Sequence, residues 1–137
     1  SQTVTGVQTC ALPIFIGLVF VMPAMAQVDV TWDGDTDVNW STTDNWDTGA
    51  LPTGSDRAIF PSAFTTNLPT IDSNQSIQSM RFEKLDGGWT LGGAGQTLTI
   101  NPADSGALED VFIEDLATSG TTTIEATVKT GGFGPFG

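Results

Sequence analysis

The chain has 137 residues, with sixteen acidic side chains against four basic ones, no histidine and no tyrosine, for a formal net charge of −12. That balance argues against nucleic acid and anionic membrane surfaces as partners, because neither a basic patch nor a basic amphipathic helix exists to meet them. It also leaves no imidazole for acid–base catalysis, and the single cysteine, Cys10, forms no disulfide framework or thiolate metal site.

In chain order, the first fourteen residues do not look like part of a folded domain. The run V-T-G-V-Q-T-C-A-L-P-I (residues 4–14) resembles the translation of a short-read sequencing adapter, and residues 1–14 are set aside as an artefact that carries Cys10 with it. Residues 15–26, F-I-G-L-V-F-V-M-P-A-M-A, form an apolar run shorter than the roughly 20 residues that a bilayer requires. The run ends in Ala24-Met25-Ala26, the small-x-small pattern of a signal-peptidase site. It is read as the remnant of a signal peptide, so the expected location is secreted, extracellular or at the cell surface, with no stable membrane span.

Beyond Ala26 the character changes. Residues 27–60 hold Trp32, Trp40 and Trp46 among Asp, Asn, Gly, Ser and Thr, with no 3.6-residue period. Aromatics in such polar company must pack on one another or on a sheet beneath them. The segment is read as a folded, Trp-rich N-terminal cap.

From there, short strand candidates recur at 28–32, 57–60, 76–82, 89–91, 96–100, 111–113 and 121–128, separated by turns such as Asp33-Gly34, Asp86-Gly87 and Ser119-Gly120. Residues 105–116 have some helical flavour, with Leu108, Phe112 and Leu116 at i, i+4 and i+8, although 111–113 fits a strand equally well. The expected class is all-β. The alternation of Thr with aliphatics across Gly-rich corners in 88–100 and 121–128 suits stacked rungs that turn aliphatics inward and β-branched Thr outward. A parallel β-helix or solenoid start is therefore the first reading, and a small β-sandwich the alternative. Residues 61–137 are expected to be the first rungs, truncated at the C-terminus, with 131–137 loose for want of a next rung.

The order W-D-G, N-W-S-T-T-D-N-W, D-R-A-I-F, S-I-Q-S-M-R-F, W-T-L-G-G and Q-T-L-T-I resembles the N-terminal segment of secreted bacterial proteins with autotransporter-associated β-strand repeats, over about residues 28–100. The resemblance implies a parallel β-helix continuing past residue 137, in exported proteins many of which carry a sorting signal. It brings no catalytic residues.

Three groups of residues are weighed for chemistry. Asp33, Asp35, Asp37 and Asn39 alternate, with Asp44 following, as a hard cation such as Ca²⁺ requires. Against an EF-hand loop, Val38 stands where the turn glycine belongs and Asp44 where a bidentate Glu would stand. The favoured reading is an Asx-rich turn capping its own backbone. Trp32, Trp40 and Trp46 are candidates for a carbohydrate-stacking platform, with a role as core filler under the cap preferred. Glu109/Asp110 and Glu114/Asp115 are carboxylate pairs of the kind glycosidases use, here expected to be solvated surface. No catalytic residue is assigned. The expected function is structural or adhesive and non-enzymatic, with extracellular polysaccharide or cell-envelope components as partners. The alternative is a carbohydrate-binding module or the front end of a polysaccharide-active β-helix enzyme.

Overall fold

β-branched and aromatic residues alternating with small or polar ones give this chain strands of two to five residues, several of them ended by Gly or Asn, as β5 is by Gly92, β6 by Asn101 and β9 by Gly131. The computed structural model describes residues 2, 3 and 6, residues 27–101 and residues 113–131. In chain order the strands are β1 (Val28–Thr31), β2 (Asp56–Phe60), β3 (Gln75–Ile77), β4 (Ser79–Phe82), β5 (Thr90–Leu91), β6 (Thr97–Ile100), β7 (Ile113–Asp115), β8 (Thr123–Ile124) and β9 (Thr127–Thr130). The helical content of the described residues is a single 3-10 turn, Thr43–Asn45. No helix among them is long and apolar enough to cross a membrane.

The nine strands form three sheets, ordered β1-β2-β4-β7, β3-β6-β9 and β5-β8, and every pairing between them is parallel. Parallel neighbours cannot be joined by a hairpin, so each sheet collects its strands from successive passes of the chain. Val28 lies beside Asp56, Arg57 beside Ser79 and Met80 beside Ile113. Single parallel bridges link Asn39 to Thr70 and Thr70 to Gly92, continuing the same stacking between the sheets. A β-sandwich is built from antiparallel sheets, so these parallel registers depart from the sandwich alternative.

Two expected strands prove to be two strands each. The run 76–82 breaks at Gln78, with β3 joining one sheet and β4 another. The amide of Gln78 donates to the Asp56 carbonyl at the corner (2.9 Å). The run 121–128 breaks in the same way at Glu125 and Ala126, between β8 and β9. Of the expected strand at 111–113, Ile113 opens β7, which runs on to Asp115, and residues 111 and 112 lie outside the described residues. The helical reading of 105–116 meets that strand at its end, while residues 102–112 lie outside the described residues. So do nearly all of residues 1–26 and all of 132–137, on which the readings of artefact, signal peptide and loose end fall.

Register places like on like in the core. Val30, Ala58 and Met80 follow one another across β1, β2 and β4, and all are buried. Phe60 and Phe82, neighbours in register, stack with centroids 4.7 Å apart and planes 15° from parallel. Trp89 tilts against Phe60 and donates its indole N–H to the Pro61 carbonyl (3.2 Å). On the opposite wall Ile77 meets Ile100, and Leu91 and Leu98 complete the buried cluster. The outer face of the first sheet carries charge: Arg57 grips Asp29 with two bonds of 2.8 and 2.9 Å, and Arg81 lies 3.3 Å from Glu114.

Candidate functional site

Of the isolated bridges between described residues, one is antiparallel, and it lies on the outer edge of β1. Trp46 runs back along Trp32, and the next residue, Asp47, takes the outward groups of Thr31. The amide of Asp47 donates to the Thr31 carbonyl (2.9 Å), while the Thr31 amide donates to Asp47 Oδ1 (2.8 Å). A parallel stack ends here, because the donor and acceptor that a further strand would use at Thr31 are already engaged.

The segment between these strands, residues 33–45, folds onto itself around Asn45. That side chain is fully buried and uses all four of its hydrogen-bonding positions. Its Oδ1 accepts from the amides of Thr36 (2.9 Å) and Asp37 (3.0 Å). Its Nδ2 donates to Asp37 Oδ1 (2.8 Å) and to the Asn39 carbonyl (2.9 Å). The amides of Asp33 and Gly34 both donate to the Asn45 backbone carbonyl. Gly34 has φ +60, and a Cβ there would press on the Asn67 carbonyl, Thr65 Oγ1 and the Trp32 indole nitrogen, so the turn needs glycine on two counts.

Beneath this loop the three indoles pack edge to face. Trp32 and Trp46 have centroids 5.1 Å apart at 84°, and Trp40 and Trp46 4.8 Å apart at 67°. Trp40 and Trp46 also lie against Phe60, tying the loop to the stacked pair of phenylalanines. Two indoles are anchored by hydrogen bonds: Trp32 Nε1 to the Asn67 carbonyl (2.9 Å) and Trp46 Nε1 to the Trp40 carbonyl (2.9 Å). The exposures of Trp32, Trp40 and Trp46 are 0%, 0% and 2%. In this arrangement no indole face is open for a sugar ring.

The acidic residues weighed as cation ligands have separate fates. Asp37 accepts bonds from the Asn39 amide (2.7 Å), Asn39 Nδ2 (3.2 Å), Thr42 Oγ1 (3.0 Å) and Asn45 Nδ2 (2.8 Å). These donors, the Asn39 amide foremost, hold its carboxyl below the usual carboxylate range. Asn39 is thus a donor to Asp37, and Asp35 is exposed. Asp33 keeps one buried carboxylate oxygen without a hydrogen bond. Among the described residues no group of three or more acidic, histidine or cysteine side chains gathers at one point. Of the carboxylate pairs, Glu114 pairs with Arg81 while Asp115 caps the amide of Ala117 (3.0 Å), and successive strand residues point to opposite faces. Glu109 and Asp110 lie outside the described residues.

Asn45 is the residue that sequence reasoning passes over. In D-N-W it reads as one more turn former, and nothing in its neighbours marks it as the buried centre of the loop. Comparison with protein-family models, curated proteins and solved structures finds no match.

Proposed function

We propose that this chain is the capped beginning of an exported parallel β-solenoid with a structural or adhesive role at the cell surface, and that residues 27–60 close its first turn. The observation that carries this is the antiparallel Trp32–Trp46 pair with Asp47 locked onto Thr31, which closes the β1 edge of a stack of parallel strands. An uncapped first strand would invite edge-to-edge pairing, and a loop holding three indoles inward and Asp35, Asp44 and Asp47 outward covers it. The succession of strands, with β4-β5-β6 and then β7-β8-β9 each giving one strand to each of the three sheets, supports reading the stack as a coil. The reading assigns no catalytic residue and no bound metal.

The test combines stability with association. Trp32→Ala and Trp46→Ala are each expected to cost about 3–5 kcal/mol in urea unfolding, as loss of a buried indole does. The surviving folded fraction of Trp46→Ala should self-associate through β1 in light scattering. The rival carbohydrate-binding reading expects near-neutral stability and saturable binding on a glycan array that Trp40→Ala or Trp46→Ala abolishes. Losses below about 1 kcal/mol at both Trp32 and Trp46, the range of surface changes, would overturn the cap.

A further inference from the structure

The pattern Ala24-Met25-Ala26 places the bond offered to a signal peptidase between Ala26 and Gln27. Strand β1 begins one residue later, at Val28, where pairing with β2 starts. Cleavage would therefore leave a glutamine as the chain's first residue, directly before a parallel edge strand.

We propose that Gln27, once exposed by export, closes to pyroglutamate and that this is the mature N-terminus; the proposal rests on the export reading. The residue supplies both reactants. The free α-amine attacks the side-chain carbonyl carbon Cδ, a C–N bond forms, and the Cδ–Nε2 bond breaks. The amide nitrogen leaves as ammonia, carrying off the proton given up by the amine. The product is a five-membered lactam, and no oxidant, reductant or cofactor is consumed.

The surroundings of Gln27 permit this and govern its rate. The residue is exposed and stands outside the β1 ladder, so its backbone is not held by strand pairing. Its side chain is held, because Nε2 donates to Ser79 Oγ on β4 (2.7 Å), and Ser79 is buried. The leaving nitrogen is therefore the atom that the fold grips, and closure must break that bond first. The lactam carries no terminal charge and offers no free amine to aminopeptidases. That protects an edge strand whose loss would uncover the cap, since chain ends are where proteolysis concentrates.

The experiment is intact-mass and N-terminal peptide sequencing of residues 15–137, preceded by Met-Lys-Lys as a basic leader start and exported from a bacterial host. The expected product begins at residue 27 and is about 17 Da lighter than a chain with a free glutamine. Gln27→Ala is expected to be cleaved at the same bond with no such loss of mass. Ser79→Ala, which frees the amide nitrogen, is expected to close about five-fold faster, the factor for one ordinary hydrogen bond. A chain cut at residue 27 that keeps a free α-amine after prolonged incubation at neutral pH overturns the closure alone. A product that retains residues 15–26, or begins elsewhere, overturns the export reading and the closure with it. An unchanged rate in Ser79→Ala overturns the control by β4.

Discussion

Asn45 and the three indoles differ in what their polar atoms do, and that difference can be measured. Asn45→Ala removes four hydrogen bonds at once and strands the amides of Thr36 and Asp37 under the loop. The expected cost is about 3 kcal/mol, followed through tryptophan fluorescence in urea. Among the tryptophans, the Trp40 indole nitrogen is buried without a partner, whereas that of Trp46 is bonded to a backbone carbonyl. Trp40→Phe should therefore cost less than Trp46→Phe, by about 1–2 kcal/mol, because only the latter orphans a buried acceptor. Asp37 makes the cap sensitive to acid. Its folded carboxyl titrates below the unfolded value, so its contribution is complete above about pH 4 and lost as pH falls through the lower folded value. Asp86, lowered by its bond with Lys84, adds a loss of the same sign elsewhere on the chain. In Asp37→Asn the dependence of unfolding on pH below 4 should be shallower than in the parent. An identical slope would remove Asp37 from the account.

At the level of elements, the corners decide how closely successive passes approach. The turn at Gly87 and Gly88 rests directly on the turn at Gly120 and Thr121, with the Gly87 amide donating to the Ser119 carbonyl (2.9 Å). A Cβ on Gly88 would collide with the backbone of Thr121 and Thr122, which is part of a bonded turn and has no room to yield. Gly95 is a useful contrast: its φ is +88, but a Cβ there meets nothing within 4 Å. Gly95→Ala should cost about 1 kcal/mol, from backbone conformation alone. Gly88→Ala should cost about 3 kcal/mol and loosen β8, because the strain is steric and transmitted to the neighbouring turn. Equal costs in thermal unfolding would mean that the two turns are not in contact in solution.

Among the described residues, the two ends of the stack differ in exposure. At the β1 end the indoles and Asp47 cover the core. At the β7–β9 end, Ile113 and Val128 are each 39% exposed, although they stand in register with buried Met80 and Leu98. The same kind of residue at the same register position is thus core in one layer and surface in the next. Leu98→Ala is expected to cost about 2–5 kcal/mol, whereas Val128→Ala should stay below about 1 kcal/mol. Hydrogen exchange should follow the same gradient, with amides in β2, β4 and β6 protected longest and those in β7 and β9 exchanging first. Uniform protection across all layers would contradict it.

Much of this was readable from residues alone. Alternation and β-branching announced strands at 57–60 and 96–100, where β2 and β6 lie, and the Gly, Asn and Asp pairs announced most turns, because these are local preferences. The all-β class followed from the absence of any long 3.6-residue period. What residues alone did not show was where a strand leaves one sheet for another, at Gln78 and at Glu125–Ala126. Inside–outside alternation is the same on either side of such a corner, and only pairing with other passes reveals it. Likewise the alternating acids read as an Asx-rich turn with a cation site as the lesser alternative, and only the fold places Asn45 among them, with Asp37 bonded to its own loop. The tryptophans allowed two roles, with core filler preferred over a binding face. Their composition is local, but their burial depends on Phe60 and Asn67, which reach them only through the tertiary fold.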